Sequence, residues 1–257
     1  MIFYQEPVLL DRDAHRHARL ADAPDVRFAA NSNSFLLAAQ ECVDAMRDYP
    51  LLFVGQLGGA FTMAALTGLK TDQNLFVKPD GQWFEGAYLP AFVRRYPFVL
   101  VEPRDGTELQ IAVDRKCAWL DLSGAGGVGE RLFTDGGHNS ASMDEFAVFL
   151  TRFHRGMQET REFATELHRQ GLLVKRFIKV KGPAGSSSLD DIWVVSEEAL
   201  RALDAAATKA LTDKGYMAWI HLHLASLSNI QRLADLSDLL LSARALPIIP
   251  EAPRPAK

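Results

Sequence analysis

Residues 142–180 read SMDEFAVFLTRFHRGMQETREFATELHRQGLLVKRFIKV, and their periodicities set the class of the fold. Phe146, Phe149, Leu150, Phe153, Met157, Phe163 and Leu167 recur at helical spacing, which predicts a long amphipathic helix. Ser142 and Glu145 have the Ser-x-x-Glu spacing of a capping box, and Gly171 suits a helix stop. The period then changes to two. Val174, Ile178 and Val180 alternate with Lys175, Lys179 and Lys181, as in a strand buried on one face.

On the C-terminal side, Pro183–Ser188 reads as a loop and Ile192–Val195 as a strand. Ser196 is placed to cap a helix ending at Gly215, with Glu197 and Glu198 in its first turn, where the helix dipole favours negative charge. Ser228 and Gln231 predict a second capping box, opening a last helix to about Leu241. On the N-terminal side, Val26–Ala30 reads as a strand and Phe35–Met46 as a helix stopped by Tyr49-Pro50. Leu51–Gly55 and Ala60–Leu69 make a hairpin. Pro79-Asp80-Gly81 turns a second one between Leu75–Val77 and Trp83-Phe84. Pro90 opens a short helical stretch over 88–95, and strands at Phe98–Glu102 and Glu108–Val113 flank the turn Pro103–Gly106. The expected fold is α+β: a mostly antiparallel sheet built from hairpins in the first half, with long amphipathic helices in the second. Residues 1–245 form one domain and 246–257, with four prolines, a mobile tail.

Composition narrows the function classes. The 257 residues are 48% hydrophobic and 23% charged, an ordinary globular balance, and the net charge of −4 argues against nucleic acid or anionic lipid as a partner of the whole surface. No run approaches the ~18 apolar residues of a spanning helix, and the first twenty residues lack a secretory pattern. The expectation is a cytoplasmic protein without membrane attachment. Cys42 and Cys117 fit no metal spacing, and Cys42 reads as a packed thiol.

Few constellations carry chemistry. Gly124–Gly129 lacks both the phosphate-loop Lys-Ser/Thr and the dinucleotide spacing, so it reads as a surface loop. His221 and His223 project from one face if 219–224 is a strand, and they then form half a metal site, with His17, His138 or Asp114 as further donors. A helix there would point them about 200° apart and abolish the pair. His154 and His168 read as residues on the flanks of the long helix, and Ser186–Ser188 as a polar loop. Arg94-Arg95-Tyr96-Pro97-Phe98 joins two guanidinium groups to aromatic rings, suited either to gripping an acidic polypeptide or to forming a structural corner. Trp83 and Asn74 complete the candidate partner-binding set with Arg94, Arg95 and Tyr96.

Read in order, Tyr49-Pro-Leu-Leu-Phe53, Gly68-Leu69, Asn74-Leu-Phe-Val77, Gly81-x-Trp83, Tyr88-x-Pro-Ala91, Arg94–Phe98, Leu132-Phe133 with Asp135-Gly136, and His223-Leu-x-Ser-Leu227 resemble the bacterial SapC-like family from about Pro7 to Leu233. The chain departs from the family form at His221, which leaves His223 as the shared histidine. The resemblance implies a neighbourhood of surface-layer, TonB-dependent receptor and flavin-dependent tryptophan halogenase systems, and it supplies no catalytic residues. Two functional readings follow. One is an accessory protein without a cofactor, which recognises a polypeptide or a partner enzyme such as a halogenase. The alternative is a metal-dependent enzyme, with non-haem iron or zinc, that modifies a peptide side chain.

Overall fold

The computed structural model describes residues 3–21, 25–55, 59–103, 108–182 and 185–245. The turn expected at 103–106 and the tail after 245 lie largely outside them. The strands are β1 (Pro7–Leu9), β2 (Arg19–Leu20), β3 (Ser34–Leu36), β4 (Leu51–Val54), β5 (Thr62–Leu66), β6 (Phe98–Val101), β7 (Gln110–Asp114), β8 (Leu120–Asp121), β9 (Glu130–Arg131), β10 (Leu173–Gly182) and β11 (Gly185–Val195). The helices are α1 (Cys42–Ala45), α2 (Ala91–Arg94), α3 (Ala141–Arg169), α4 (Glu197–Arg201), α5 (Ala205–Asp213), α6 (Tyr216–Ser226) and α7 (Asn229–Ala245). This is the α+β arrangement that the patterning predicts, with the helices mainly in the C-terminal half.

The central sheet has the order β10-β11-β4-β5-β3 and is antiparallel throughout. Two smaller antiparallel sheets, β1-β7-β6 and β8-β2-β9, lie beside it. Helix α3 crosses both parts. Its C-terminal half buries Phe163, Ala164 and Leu167 in the main core with Leu51, Phe53 and Met63. Its N-terminal half buries Met143 and Leu150 with Phe98, Val113 and Phe133.

One seam in the central sheet is unusual. β11 and β4 share a single register pair, Trp193 with Phe53. Continuing that register brings Val195 opposite Leu51, where the ladder would form its next direct bonds. The imidazole of His223, from α6, occupies that place. Its Nε2 accepts from the Val195 N–H at 3.1 Å, and its Nδ1–H donates to the Leu51 carbonyl at 2.8 Å. One helical turn on, the Ser226 hydroxyl accepts from the Leu51 N–H at 2.9 Å and donates to the His223 carbonyl at 2.6 Å. The spacing of His223-Leu-x-Ser226 puts both groups on the face of α6 that meets the sheet. Asn229 closes the seam by donating to the carbonyls of Met46 and Tyr49.

Several local expectations are corrected. Helix α3 starts two residues earlier than a Ser142 cap requires. Ser140 is the N-cap, and its hydroxyl accepts from the Met143 N–H at 3.2 Å, while the Ser142 hydroxyl meets only that of Ser140. Residues 35–46 are not one helix. Phe35 pairs with Ala65 in β3, and a 3-10 turn over Ala39–Glu41 precedes α1, so tertiary pairing overrides the apolar period. Val26–Ala30 holds a 3-10 turn, because its backbone bonds locally, from Ala29 N–H to Val26 and from Ala30 N–H to Arg27. The helix expected over 196–214 is two, because Asp204 caps anew by accepting from the Ala207 N–H. Ser228 donates to the Ala225 carbonyl instead of capping α7, and Gln231 turns to Asp235. Ser186–Ser188 belong to β11, where they pair with Val180, Lys179 and their neighbours.

Replacing Ser140 by Ala is expected to lower stability by on the order of 1 kcal/mol, whereas Ser142→Ala should stay within about 0.5 kcal/mol. Chemical-denaturation midpoints of the two variants check this, and a larger loss at Ser142 would reject the cap assignment.

Candidate functional site

Pro90 begins α2, and the chain then turns through Arg95, Tyr96 and Pro97 into β6. This corner packs against the N-terminal half of α3 and sends successive side chains to different places. The Arg94 guanidinium stands 5.2 Å from the Phe149 ring centroid and 5.8 Å from that of Tyr88, and it donates to the Leu89 carbonyl and the Tyr88 hydroxyl. Arg95 lies 4.1 Å over Phe92 and 5.2 Å from Phe153. Burial holds its pKa below the ordinary arginine value, and its Nε has no hydrogen-bond partner in its buried position. Tyr96 turns the other way. Its ring stacks on Phe28 at 4.2 Å, and its hydroxyl donates to Asp114 at 3.0 Å.

On the Arg94 side, α3, α2 and the 3-10 turn before α1 enclose a groove of about 390 Å³. Its walls include Ala38, Ala91, Phe149, Phe153 and Gly156, with Arg152, Arg155 and Glu159 on the outer side. Gly156 permits the close approach of α3 here, since a Cβ would meet Gln40 Oε1 at 2.8 Å and Ala38 Cβ at 3.0 Å. Thr160 fastens the same crossing. Its hydroxyl accepts from the Ala39 N–H and donates to the Gly156 carbonyl, both at 2.7 Å. Glu41 also lines the groove, and its carboxylate accepts from the Ala91 N–H, the Tyr88 hydroxyl and the Ala38 N–H. Burial nonetheless raises its pKa, against the pull of those bonds and of the Arg94 charge.

The charges around this groove are unequally matched. Arg155 pairs with Glu159 at 3.0 Å. Arg94, Arg95 and Arg152 form no ion pair among the described residues. Arg94 reaches Glu41 only through the shared Tyr88 hydroxyl. The corner therefore offers Arg94, together with Arg152 from α3, beside an apolar wall, while Arg95 is embedded among rings.

The remaining candidates are placed elsewhere. Asn74 is buried, donates to the Ala29 carbonyl and accepts from the Phe76 N–H, so its amide holds a turn. Trp83 stacks on Phe76 at 5.9 Å, and its indole N–H is shared between the Tyr49 hydroxyl and the Tyr88 carbonyl. Neither is available to a partner through these polar groups. The expected strand at 219–224 is helix α6, so His221 is exposed and points away from His223, which is fully buried with both ring nitrogens bonded to backbone. His17 is exposed in the segment before β2. The three do not assemble, and no cluster of three metal-binding side chains occurs among the described residues. His168 is not a solvated flank either, since it packs 4.6 Å from the Phe61 ring. Burial pushes the Cys42 thiol up to about 12 and the Cys117 thiol up to about 11, so both are held as unreactive thiols near neutral pH.

Sequence reasoning missed Glu41, Arg152 and Gly156. The signal for Gly156 was present as a glycine inside the long helical period. Nothing local distinguished Glu41 or Arg152, whose placement depends on the crossing of α3.

The family model described as SapC matches residues 10–233. No curated protein and no solved structure matches the chain. No helix among the described residues is long and apolar enough to cross a membrane.

The buried imidazole makes a pH prediction. Burial lowers the His223 pKa from 6.5 to about 4, so between these values the unfolded chain binds the extra proton and the folded one does not. Stability should therefore fall as pH drops from about 6.5 towards 4, by roughly 3 kcal/mol in all. His223→Leu should lower stability at pH 7, by leaving the Val195 N–H and Leu51 carbonyl unpaired, and remove that part of the pH slope. Urea midpoints from pH 7 to 4.5 test it, and equal slopes for the two proteins would overturn it.

Proposed function

The chain belongs to the SapC family, and on that premise we propose that it is a polypeptide-recognition protein, accessory to a partner, that receives an acidic segment in the groove between α2 and α3. The observation that carries this reading is the pair Arg94 and Arg152, two guanidinium groups with no carboxylate partner among the described residues, beside the apolar wall of Phe149, Phe153 and Ala91. A guanidinium next to aromatic surface is more weakly hydrated than an ammonium and presents a planar fork to a carboxylate. Apolar side chains of the same segment would cover Phe149 and Phe153 and exclude water from the ion pairs. Arg95, embedded over Phe92, stiffens the corner that presents Arg94. The neighbourhood implied by the family resemblance supplies the partners to test: surface-layer proteins, TonB-dependent receptors and flavin-dependent tryptophan halogenases.

The experiment measures binding of a purified tryptophan halogenase, and of acidic peptides from a TonB-dependent receptor and a surface-layer protein, to the protein and its Arg94→Lys, Arg152→Lys and Arg95→Lys variants. The first two substitutions keep the charge but lose the fork, and each should weaken binding about tenfold or more with little change in melting temperature. Arg95→Lys should lower the melting temperature. Peptides with Gln and Asn in place of Glu and Asp should bind far less well. Normal binding by both Arg94→Lys and Arg152→Lys, or equal binding of the neutral peptides, would remove the groove as the site.

A further inference from the structure

A second cavity lies on the other side of the Arg94–Pro97 corner, and Glu130 is the one charged residue among its described lining residues. It measures about 500 Å³ and is enclosed by the small sheet β8-β2-β9, the start of β6 and the first turns of α3. Tyr96, Trp119 and Phe146 supply three aromatic side chains, Leu20 and Leu132 supply apolar surface, and Glu130 supplies a carboxylate. Two of these rings are held firmly. Tyr96 is fixed by its stack on Phe28 and its bond to Asp114, and Trp119 meets Tyr96 edge to face at 5.7 Å.

Glu130 forms no ion pair or side-chain hydrogen bond among the described residues, and neither does the indole N–H of Trp119. The cations nearest in sequence belong to the other side of the ribbon. The register pairs Leu20 with Glu130 and Arg19 with Arg131, so strand alternation places Glu130 on the Leu20 face and the two arginines on the opposite one. Arg131 is bonded to Asp135, and Arg19 donates to the Gly129 carbonyl. The cavity thus combines aromatic faces, which attract a cation through the ring quadrupole, with a carboxylate that no cation among the described residues neutralises.

We infer that this cavity is a binding site for a cationic side chain on an apolar stem, that of a lysine or arginine in a polypeptide. The aromatic and leucine surface covers the methylene stem, Glu130 faces the charged head, and the Trp119 N–H, unbonded among the described residues, donates to a peptide carbonyl. Among the described residues, Arg94 and Arg152 at the α2–α3 groove lack a carboxylate partner, and Glu130 at this cavity lacks a cation. The inference does not depend on the function proposed for that groove.

The test uses small probes that isolate the chemistry. N-acetyl-lysine amide and N-acetyl-arginine amide are titrated into the full-length protein, with N-acetyl-norleucine amide as the uncharged control. The readout is the indole N–H resonances of the four tryptophans, of which Trp119 is identified by its loss in Trp119→Phe. The cationic probes should shift the Trp119 resonance with dissociation constants on the order of millimolar. Glu130→Gln, at an exposed position, should weaken them about fivefold and leave the melting temperature unchanged. Arg152→Lys should leave the titration unaltered, which separates this site from the other groove. The inference is overturned if the norleucine probe binds as well as the lysine one, if Glu130→Gln binds lysine normally, if Arg152→Lys abolishes binding, or if the Trp119 signal does not move.

Discussion

A buried imidazole standing in for a β-ladder bond is the constraint on which the rest of the structure depends. β11 and β4 meet at one residue pair and would continue into a second, but His223 enters between them, bonded on each ring nitrogen to one strand. Ser226 completes the same rung by satisfying the remaining polar group of Leu51. The two hairpins of the central sheet are therefore joined partly through helix α6, and the helix is locked in register with both. A side chain that both donates and accepts at a fixed separation is needed, and neutral histidine meets that condition. The protonated ring has two donors and no acceptor, so the Val195 N–H would lose its partner.

With the sheet and α6 joined, α3 acts as the shared wall. Its C-terminal half packs on the sheet and its N-terminal half on the smaller strands, leaving Phe146, Phe149 and Arg152 beside the corner formed by α2 and β6. Successive residues of that corner face different surroundings, so Arg94 packs on Phe149, which lines one cavity, and Tyr96 lines another. Among the described residues, Arg94 and Arg152 lack a carboxylate partner on one side of the corner, and Glu130 lacks a cation on the other. A partner carrying both an acidic and a basic residue would be selected for the spacing between them as well as for its charge.

Sequence patterning alone determined the elements whose signals are local and strong. The long apolar stripe of α3, the change of period into β10, the Pro-Asp-Gly turn, the Ser196 cap and the short helix after Pro90 all follow from backbone propensity and from which face must be buried. The family membership was legible too, since it rests on the order of short motifs along most of the chain. One of those motifs, His223-Leu-x-Ser-Leu227, has its physical explanation in the rung at Leu51, although His223 together with His221 also suggests half a metal site in the sequence.

Only the tertiary structure decided the rest, because the deciding partners are far apart in the chain. Phe35 left its helical pattern when β5 offered a strand to pair with, and 219–224 became helix although its alternating residues permitted a strand. Glu41 and Arg152 are ordinary charged residues by sequence. They became features of a site when Gly156 let α3 settle against the turn before α1, which buried one charge with its hydrogen bonds and left the other without a carboxylate partner among the described residues. Periodicity reports which face a segment buries. The contacts that face makes, and the charges left unmatched around it, depend on how the segments cross.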